Sequence, residues 1–359
     1  MGFGTVSDGF LTWVYFTSLA IGAAILFMMA RILVLRVYLL LSQRRTARFE
    51  AFWRPLLAEL AIVPIPCKGM ALPRLHRRDY RRFIGLWLAM QESLADEAHE
   101  RLNHVARRLG AHRIAQRSLQ RKSVPQRLAA LIFLGHLKDR ASWLTLAAML
   151  HDASPVISVV AARSLMQTNP AKAAPLVFAE LLRREDWPVE RLGLVFRHTL
   201  SPELANLHLT PLLDDCDDET AIRLLPYVRY LHHEARDALL FALLSRSRSD
   251  RLTSRVLRQV ENSGCLEQVR RYTAYPRWHV RMQAVAALGR IGTREEDLAI
   301  LTERLGDEQW WVRYRAAQAL VRLLGQSPNE LRALQERHAD PYARQMLAQV
   351  MREEALSHA

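Results

Sequence analysis

The alternation of apolar and polar positions divides the chain into three regimes. The first is a continuous apolar run. From Gly9 to Ala30 there is no charged residue, and Phe10–Ala30 is apolar almost throughout. As a helix rising ~1.5 Å per residue this run extends about 31 Å, the thickness of a bilayer's hydrocarbon core. Apolar character continues through Ile32–Leu41, broken by Arg31 and Arg36, with Trp13, Tyr15 and Tyr38 suited to interfacial positions. The pattern predicts a transmembrane helix and its extension over 10–41, preceded by a stub of residues 1–9.

The second regime, 42–122, is basic and amphipathic. Pro64, Pro66, Gly69 and Pro73 fall within 62–83, and proline removes a donor and clashes with the preceding turn, so this stretch predicts a loop. Helical spacing resumes at Tyr80–Met90, with Phe83, Ile84, Leu86 and Leu88 apolar. It continues over Leu94–Leu109, with Leu94, Ala98, Leu102, Val105 and Leu109 on one face.

The third regime, 123–356, repeats. VRMQAVAAL (280–288) and VRYRAAQAL (312–320) share Val, Arg, Ala, Ala and Leu in the same places. Trp278 and Trp310 each precede the Val by two positions. ARQMLAQVM (343–351) follows at nearly the same interval, with Arg344 in the Arg position. Upstream, HDASPVISVVAARSL (151–165) aligns with 306–320, placing Asp152 on Asp307 and Ala161-Ala162 on Ala316-Ala317. QRLAALIFL (126–134) puts Arg127 in the Arg position, and VERLGLVFR (189–197) puts Trp187 in the Trp position. ARDALLFAL (235–243) fits the pattern with irregular spacing, and 198–279 is where the register is least fixed. Each unit also has an earlier apolar stretch, such as Leu298, Leu301 and Leu305 before Asp307. Each repeat therefore reads as helix A, a turn carrying Asp and often Trp or Pro, then helix B. One such pair cannot bury its apolar faces alone, whereas stacked pairs form a continuous core. The alanines let helix B approach its neighbours, so a large residue at Ala161 or Ala316 should overpack the stack by about 1–3 kcal/mol.

Charge sharpens this picture. The net formal charge is +14, and residues 31–122 hold 19 Lys/Arg against 7 Asp/Glu, whereas 123–359 holds 31 against 28. The excess sits just after the apolar run. No Lys or Arg precedes that run, which argues against a cleaved signal peptide. By the positive-inside rule, Arg31, Arg36, Arg44, Arg45 and Arg48 place the C-terminal bulk in the cytoplasm and the stub outside. Cys67, Cys216 and Cys265 are odd in number and far apart, a reduced-compartment pattern with no zinc-ligand spacing. Arg44, Arg45, Arg48, Arg74, Arg77, Arg78, Arg81 and Arg82 form a candidate membrane-surface set. They can bind anionic headgroups at ~1 kcal/mol per basic residue, or merely fix topology. Attachment to a bilayer disfavours a nucleic-acid partner.

The motif D-x-x-x-x-V-R-x-x-A-A-x-A-L resembles the HEAT repeat, in the short form found in phycobilisome lyases and many bacterial scaffolds. The resemblance covers about 123–356, strongly at 124–197 and 275–351. It implies an α-α solenoid over 123–356, and with the apolar run and the basic segment the expected fold is all-α: an N-terminal transmembrane helix, a basic juxtamembrane helical segment over 42–122, and the solenoid. It also implies that Arg127, Arg281, Arg313 and Arg344 serve the inter-repeat turns. Trp187, Trp278, Trp310 and Trp311 are either plugs between repeats or partner anchors, since Trp is enriched in binding hot spots. Gln283, Arg315 and Gln318 are candidate partner contacts on exposed positions of helix B.

Catalytic signatures do not emerge. The chain has no HExxH, GxSxG, Walker A or GxGxxG. Deoxyhypusine hydroxylase, a HEAT-repeat enzyme, needs a symmetric set of His-Glu pairs around iron, and here only His99-Glu100 and His233-Glu234 occur. Fold alone assigns no activity. The expectation is a non-enzymatic scaffold without cofactor or metal, on the cytoplasmic face of a bacterial inner membrane, binding a protein partner. Family association suggests exopolysaccharide, secretion or signalling assemblies. The competing readings are an anionic-lipid or polyanion sensor through 44–122 and a tethered HEAT-repeat enzyme.

Overall fold

The computed structural model describes residues 8–62, 72–91, 93–94, 96–247, 249–293, 296–325 and 327–357. Most of the expected outer stub, and residues 63–71 of the proline-rich loop with Cys67, lie outside these. The described residues form 19 α-helices and no strand. The chain divides into two compact units, Met1–Asp139 and Arg140–Ala359. The division falls after the helix at 124–136, which the repeat pattern assigns to the solenoid and which packs within the first unit.

The first unit contains α1 (Asp8–Ile62), α2 (Tyr80–Gln91), α3 (Asp96–Arg108), α4 (Ala111–Leu119) and α5 (Val124–His136). The apolar run and the start of the basic segment are one uninterrupted helix of 55 residues, about 82 Å long at ~1.5 Å per residue. Its large apolar side chains from Trp13 to Leu41 are exposed. That is far more contiguous apolar surface than a water-soluble monomer leaves bare. The C-terminal part of α1 is different. Trp53, Leu57 and Ala61 are buried, and Trp53 meets Phe83 of α2 edge-to-face at 5.5 Å. Pro55 lies inside this packed stretch. The Arg101 guanidinium of α3 donates to the carbonyls of Ala61 (3.0 Å) and Ile62 (2.7 Å), satisfying two of the carbonyls that a helix C-terminus leaves open. The core of α2 uses Phe83, Ile84, Leu86 and also Trp87, whose ring packs on Phe133 of α5 at 4.7 Å and whose Nε1 donates to Leu102 O. Leu88, expected in the core, is only half-buried. Gly110, at φ 69° between α3 and α4, supplies a left-handed residue that a side chain would strain.

The second unit is an α-α solenoid. Its helices are α6 (Trp143–Leu150), α7 (Pro155–Thr168), α8 (Pro170–Arg183), α9 (Val189–Thr199), α10 (Pro202–Asp214), α11 (Asp218–Leu224), α12 (His233–Arg246), α13 (Asp250–Gln259), α14 (Leu266–Tyr272), α15 (Trp278–Ile291), α16 (Asp297–Arg304), α17 (Trp310–Leu324), α18 (Pro328–Arg337) and α19 (Pro341–Ser357). One row packs α13, α15, α17 and α19 in succession, with α14, α16 and α18 each set against the helix that follows. In the other row α8, α10 and α12 touch in turn. The B helices α7, α9, α15, α17 and α19 coincide with the repeated motif. The alanines are buried as expected, including Ala161, Ala162, Ala284, Ala287, Ala316 and Ala319.

The middle of the array corrects the expected register. ARDALLFAL (235–243) lies in α12, which stands in the A row, not the B row. The B helix before it is α11, shortened to seven residues and continued as a 3₁₀ segment over Leu225–Tyr230. Pro226 cannot donate a hydrogen bond and ends the regular helix there. Residues 198–279 therefore hold two complete pairs and the A helix of a third.

Candidate functional site

Arginine side chains hold several of the inter-helix turns. Arg281 sits at the second motif position of α15. Its guanidinium donates to the carbonyls of Tyr275 (3.0 Å) and Pro276 (2.9 Å) in its own turn, and to both carboxylate oxygens of Asp307 in the next (2.8 and 2.9 Å). Arg313, at the equivalent place one repeat on, donates to Asp307 O (2.8 Å) and Glu308 O (3.2 Å). Asp307 also accepts from the Gln309 N–H at 2.9 Å, fixing the start of α17. Burial pushes the Asp307 carboxyl upward, but the Arg281 guanidinium and the Gln309 N–H outweigh it, and its pKa lies below the ordinary 3.8.

At the turn before α7 the motif Arg is replaced by Ser158, and another residue does its work. Arg184, just past α8, donates to Asp152 O (2.7 Å) and Ala153 O (3.4 Å), the counterparts of Asp307 O and Glu308 O. Asp152 accepts from the Ser154 N–H at 2.9 Å as Asp307 does from Gln309. The same chemistry closes helix ends. Arg223 donates to Leu181 O and Leu182 O at the end of α8, Arg246 to Leu213 O at the end of α10, and Arg290 to Leu257 O and Val260 O around the end of α13. A cation beside exposed C-terminal carbonyls is favoured by both hydrogen bonding and the helix dipole.

Two of the four expected turn arginines fit this role outright, Arg281 and Arg313. Arg127 is half-buried on α5 in the first unit. Arg344 departs from the expectation: its side chain is exposed and, among the described residues, makes no hydrogen bond or ion pair. The turn before α19 is closed by side chains instead, with Asp340 N donating to His338 Nδ1 and Tyr342 N to Asp340 Oδ1.

The tryptophans separate into two groups. Trp187 is only 5% exposed and donates through Nε1 to Ser158 Oγ at 3.1 Å, and the Ser158 hydroxyl in turn donates to Leu150 O. It is a plug between repeats and offers no surface to a partner. Trp278, Trp310 and Trp311 are 40, 41 and 52% exposed. They open helices α15 and α17, and one repeat beyond Trp311 stands Tyr342, 68% exposed, at the start of α19. Trp310 and Trp311 meet edge-to-face at 4.7 Å, and Trp310 stacks on Tyr314 at 5.1 Å with an interplanar angle of 9°. The Tyr314 hydroxyl donates to Glu353 at 2.8 Å. Tyr314 and Tyr342 are not among the residues the sequence pattern singles out. Counting one turn from Trp310 finds Tyr314, and counting one repeat from Trp311 finds Tyr342.

Helical spacing continues this edge along α17. Trp311, Arg315, Gln318 and Arg322 follow one another at steps of four, three and four, hence on one stripe. Gln283 and Arg290 hold the corresponding positions on α15. Arg315 donates to Gln318 Oε1 at 2.8 Å. A shallow cleft of about 130 Å³ lies between the two stripes, floored by Gly289 and Ala319.

In the first unit, Arg44, Arg45 and Arg48 are exposed on α1, and Arg74, Arg77, Arg78 and Arg81 are exposed before and at the start of α2. Arg82 does not belong with them. Its guanidinium is held by Thr46 Oγ1 (3.1 Å) and Asp79 Oδ1 (2.9 Å), so it ties α2 to α1. His99 bonds the Gln91 carbonyl at 2.7 Å in the first unit, while His233 and Glu234 are exposed at the start of α12 in the second. Among the described residues no group of three or more His, Cys, Asp or Glu gathers as a metal site.

Residues 238–321 match the family of HEAT repeats, a span that covers the exposed edge of α15 and α17. No curated protein matches the chain. Among solved structures, human deoxyhypusine hydroxylase in complex with glycerol is 19% identical over 69% of this chain and 97% of its own, with a TM-score of 0.31. At that score the likeness carries no argument.

Proposed function

We propose that the protein is a membrane-anchored, non-enzymatic scaffold whose solenoid of short HEAT-like repeats docks a protein partner on the aromatic edge of α15, α17 and α19. The observation that carries this is the exposure of Trp278 and Trp310 at one repeat position and of Trp311 and Tyr342 at the next. These rings remain 40–68% exposed at solvent-facing turns, and Trp and Tyr dominate interface hot spots. The neighbouring stripe of Gln283, Arg315 and Gln318 supplies polar contacts at its rim.

The membrane part rests on α1. Its Trp13–Ile62 portion is long and apolar enough to cross a bilayer, and the apolar window carries no buried residue. Arg31, Arg36, Arg44, Arg45 and Arg48 all follow the apolar run, which favours a cytoplasmic solenoid at a bacterial inner membrane. The partner would then be a component of a membrane-associated assembly, in line with the exopolysaccharide, secretion or signalling associations of anchored HEAT-like scaffolds.

The test is crosslinking of the full-length protein in its native membrane followed by mass spectrometry, with Trp310→Ala/Trp311→Ala and Arg315→Glu/Gln318→Glu variants in parallel. The expected result is a partner recovered with the wild type and lost from both variants while their melting temperatures stay within a few degrees. Undiminished recovery by both variants overturns the docking surface. Recovery of the protein in the soluble fraction overturns the anchor.

A further inference from the structure

The first unit contains a pocket of about 610 Å³ bounded by the start of α2, the outer face of α4 and the start of α5. That volume lies within the range of small-molecule sites. Its composition is unusual. Arg77, Arg78, Arg81, Arg117 and Arg121 all line it, and no Asp or Glu does. Arg78 reaches Asp79 at 3.6 Å. Among the described residues the other four form no ion pair or side-chain hydrogen bond, unlike Arg223, Arg246, Arg281 and Arg290, which close turns and helix ends. Like charges gathered in one concavity repel one another and raise the local potential for an anion.

The rest of the lining is largely apolar, with Ile84, Ile114, Pro125 and Ala129. Tyr80 also lines the pocket. It is more than nine-tenths buried, and its hydroxyl has no hydrogen-bond partner. Burial holds that phenol neutral by pushing its pKa up. A buried hydroxyl without a partner is a costly group to keep. Arginines at the rim and an apolar floor together select one kind of molecule.

We propose that this pocket binds a phosphate ester carried on an apolar body, with Arg77, Arg81, Arg117 and Arg121 on the phosphate and the Ile84–Ile114 floor under the apolar part. Its tie to α1 bears on the source of that molecule. Arg82, next to Arg81, is bonded to Thr46, which lies shortly after the end of the apolar run at Leu41. On the membrane reading, which this point of source rests on, the pocket opens close to the headgroup layer and the ligand is an anionic phospholipid. The ligand's chemistry does not depend on that reading.

The experiment is calorimetric titration of the full-length protein in nonionic detergent with three probes: dihexanoyl phosphatidylglycerol, dihexanoyl phosphatidylcholine and inorganic phosphate. Saturable binding of the phosphatidylglycerol is expected, at least tenfold tighter than either of the others. Arg117→Gln/Arg121→Gln should weaken it about tenfold or more, at ~1 kcal/mol per basic residue. These side chains are exposed, so the melting temperature should hold. Equal binding of the two lipids overturns anion recognition, and inorganic phosphate binding as well as the lipid overturns the apolar part. Absence of saturable binding, or indifference to the arginine variants, overturns the site. Tight, arginine-dependent binding by a protein found in the soluble fraction keeps the pocket, assigns a soluble phosphorylated amphiphile and discards the anchor.

Discussion

The guanidinium of Arg281 closes on the carboxylate of Asp307 at 2.8 and 2.9 Å, so that the turn of one repeat is bonded to the turn of the next. Both groups are largely withdrawn from water, and the guanidinium also holds two carbonyls of its own turn. Removing one partner leaves the other desolvated and unpaired. Arg281→Ala should therefore cost about 3 kcal/mol, read as a lowered urea midpoint of the full-length protein by circular dichroism.

The same pair gives a pH dependence. The Asp307 carboxyl is held below its ordinary value in the folded chain, by the Arg281 and Gln309 donors acting against burial. A depressed carboxylate pKa stabilises the fold above the unfolded-state value of about 3.9, and that contribution disappears as pH falls through the folded-state value. The stability gap between wild type and Asp307→Asn should stay constant from neutral pH to about pH 5 and narrow below the ordinary carboxylate pKa of about 3.9. A gap that is unchanged down to the point of acid unfolding would show that the carboxylate charge plays no part.

Trp187 and the Trp310–Trp311 pair should respond oppositely to truncation. Trp187→Ala empties a buried site and should destabilise by about 3–5 kcal/mol. Trp187→Phe, losing the hydrogen bond to Ser158 and part of the ring volume, should cost about 2–3 kcal/mol. Trp310→Ala/Trp311→Ala should shift the unfolding midpoint little and remove the partner. Thermal melts read beside crosslinking yields separate the two behaviours.

Gly289 marks a tight approach between α15 and α17. A Cβ placed there would lie 2.4 Å from Ala319 Cβ and 2.8 Å from Ala319 Cα. Gly289→Ala should destabilise by about 1–3 kcal/mol. Adding Ala319→Gly should restore only part of this, because the backbone of α17 still stands in the way.

Cys265 is buried, and that burial, with Asp237 adding to it, pushes its thiol up to about 11. Since the thiolate is the reactive form, iodoacetamide at pH 8 should leave Cys265 unmodified in the folded protein and alkylate it once urea unfolds the chain. Peptide mass spectrometry reads this directly. Cys216, half-buried and raised by burial as well, should react sooner than Cys265.

The sequence spoke clearly where a local pattern and the packing agree. The Trp-x-Val-Arg starts of α15 and α17 mark true helix starts, and their alanines are buried because neighbouring helices need that closeness. It spoke less clearly where the repeat changes length. Successive B helices begin at Pro155, Val189, Asp218, Asp250, Trp278, Trp310 and Pro341. The step from Val189 to Asp218 is shorter than the one before it, and the step from Asp250 to Trp278 is shorter than the one after it. A fixed period therefore slips in the middle, where α11 ends in a 3₁₀ segment and α14 has only seven residues. Nor could a motif search see that Arg184 replaces the arginine missing at Ser158, because the substitute comes from another helix. In the candidate site, the exposed tryptophans were legible as turn aromatics. Only burial distinguished Trp187 from the rest, and only contact revealed Arg82 as an internal tie.

The continuity of α1 has a mechanical meaning. A helix without a break has no slack, so its clamped end and its bare end turn as one shaft. Trp53, Leu57 and Ala61 grip the bundle at one end, around Pro55, and the helix runs on from the Trp53 contact to the apolar stretch. A rotation imposed on the apolar half, by a neighbouring helix or a change in its surroundings, is delivered as torque to α2 and α3 rather than dissipated in a hinge.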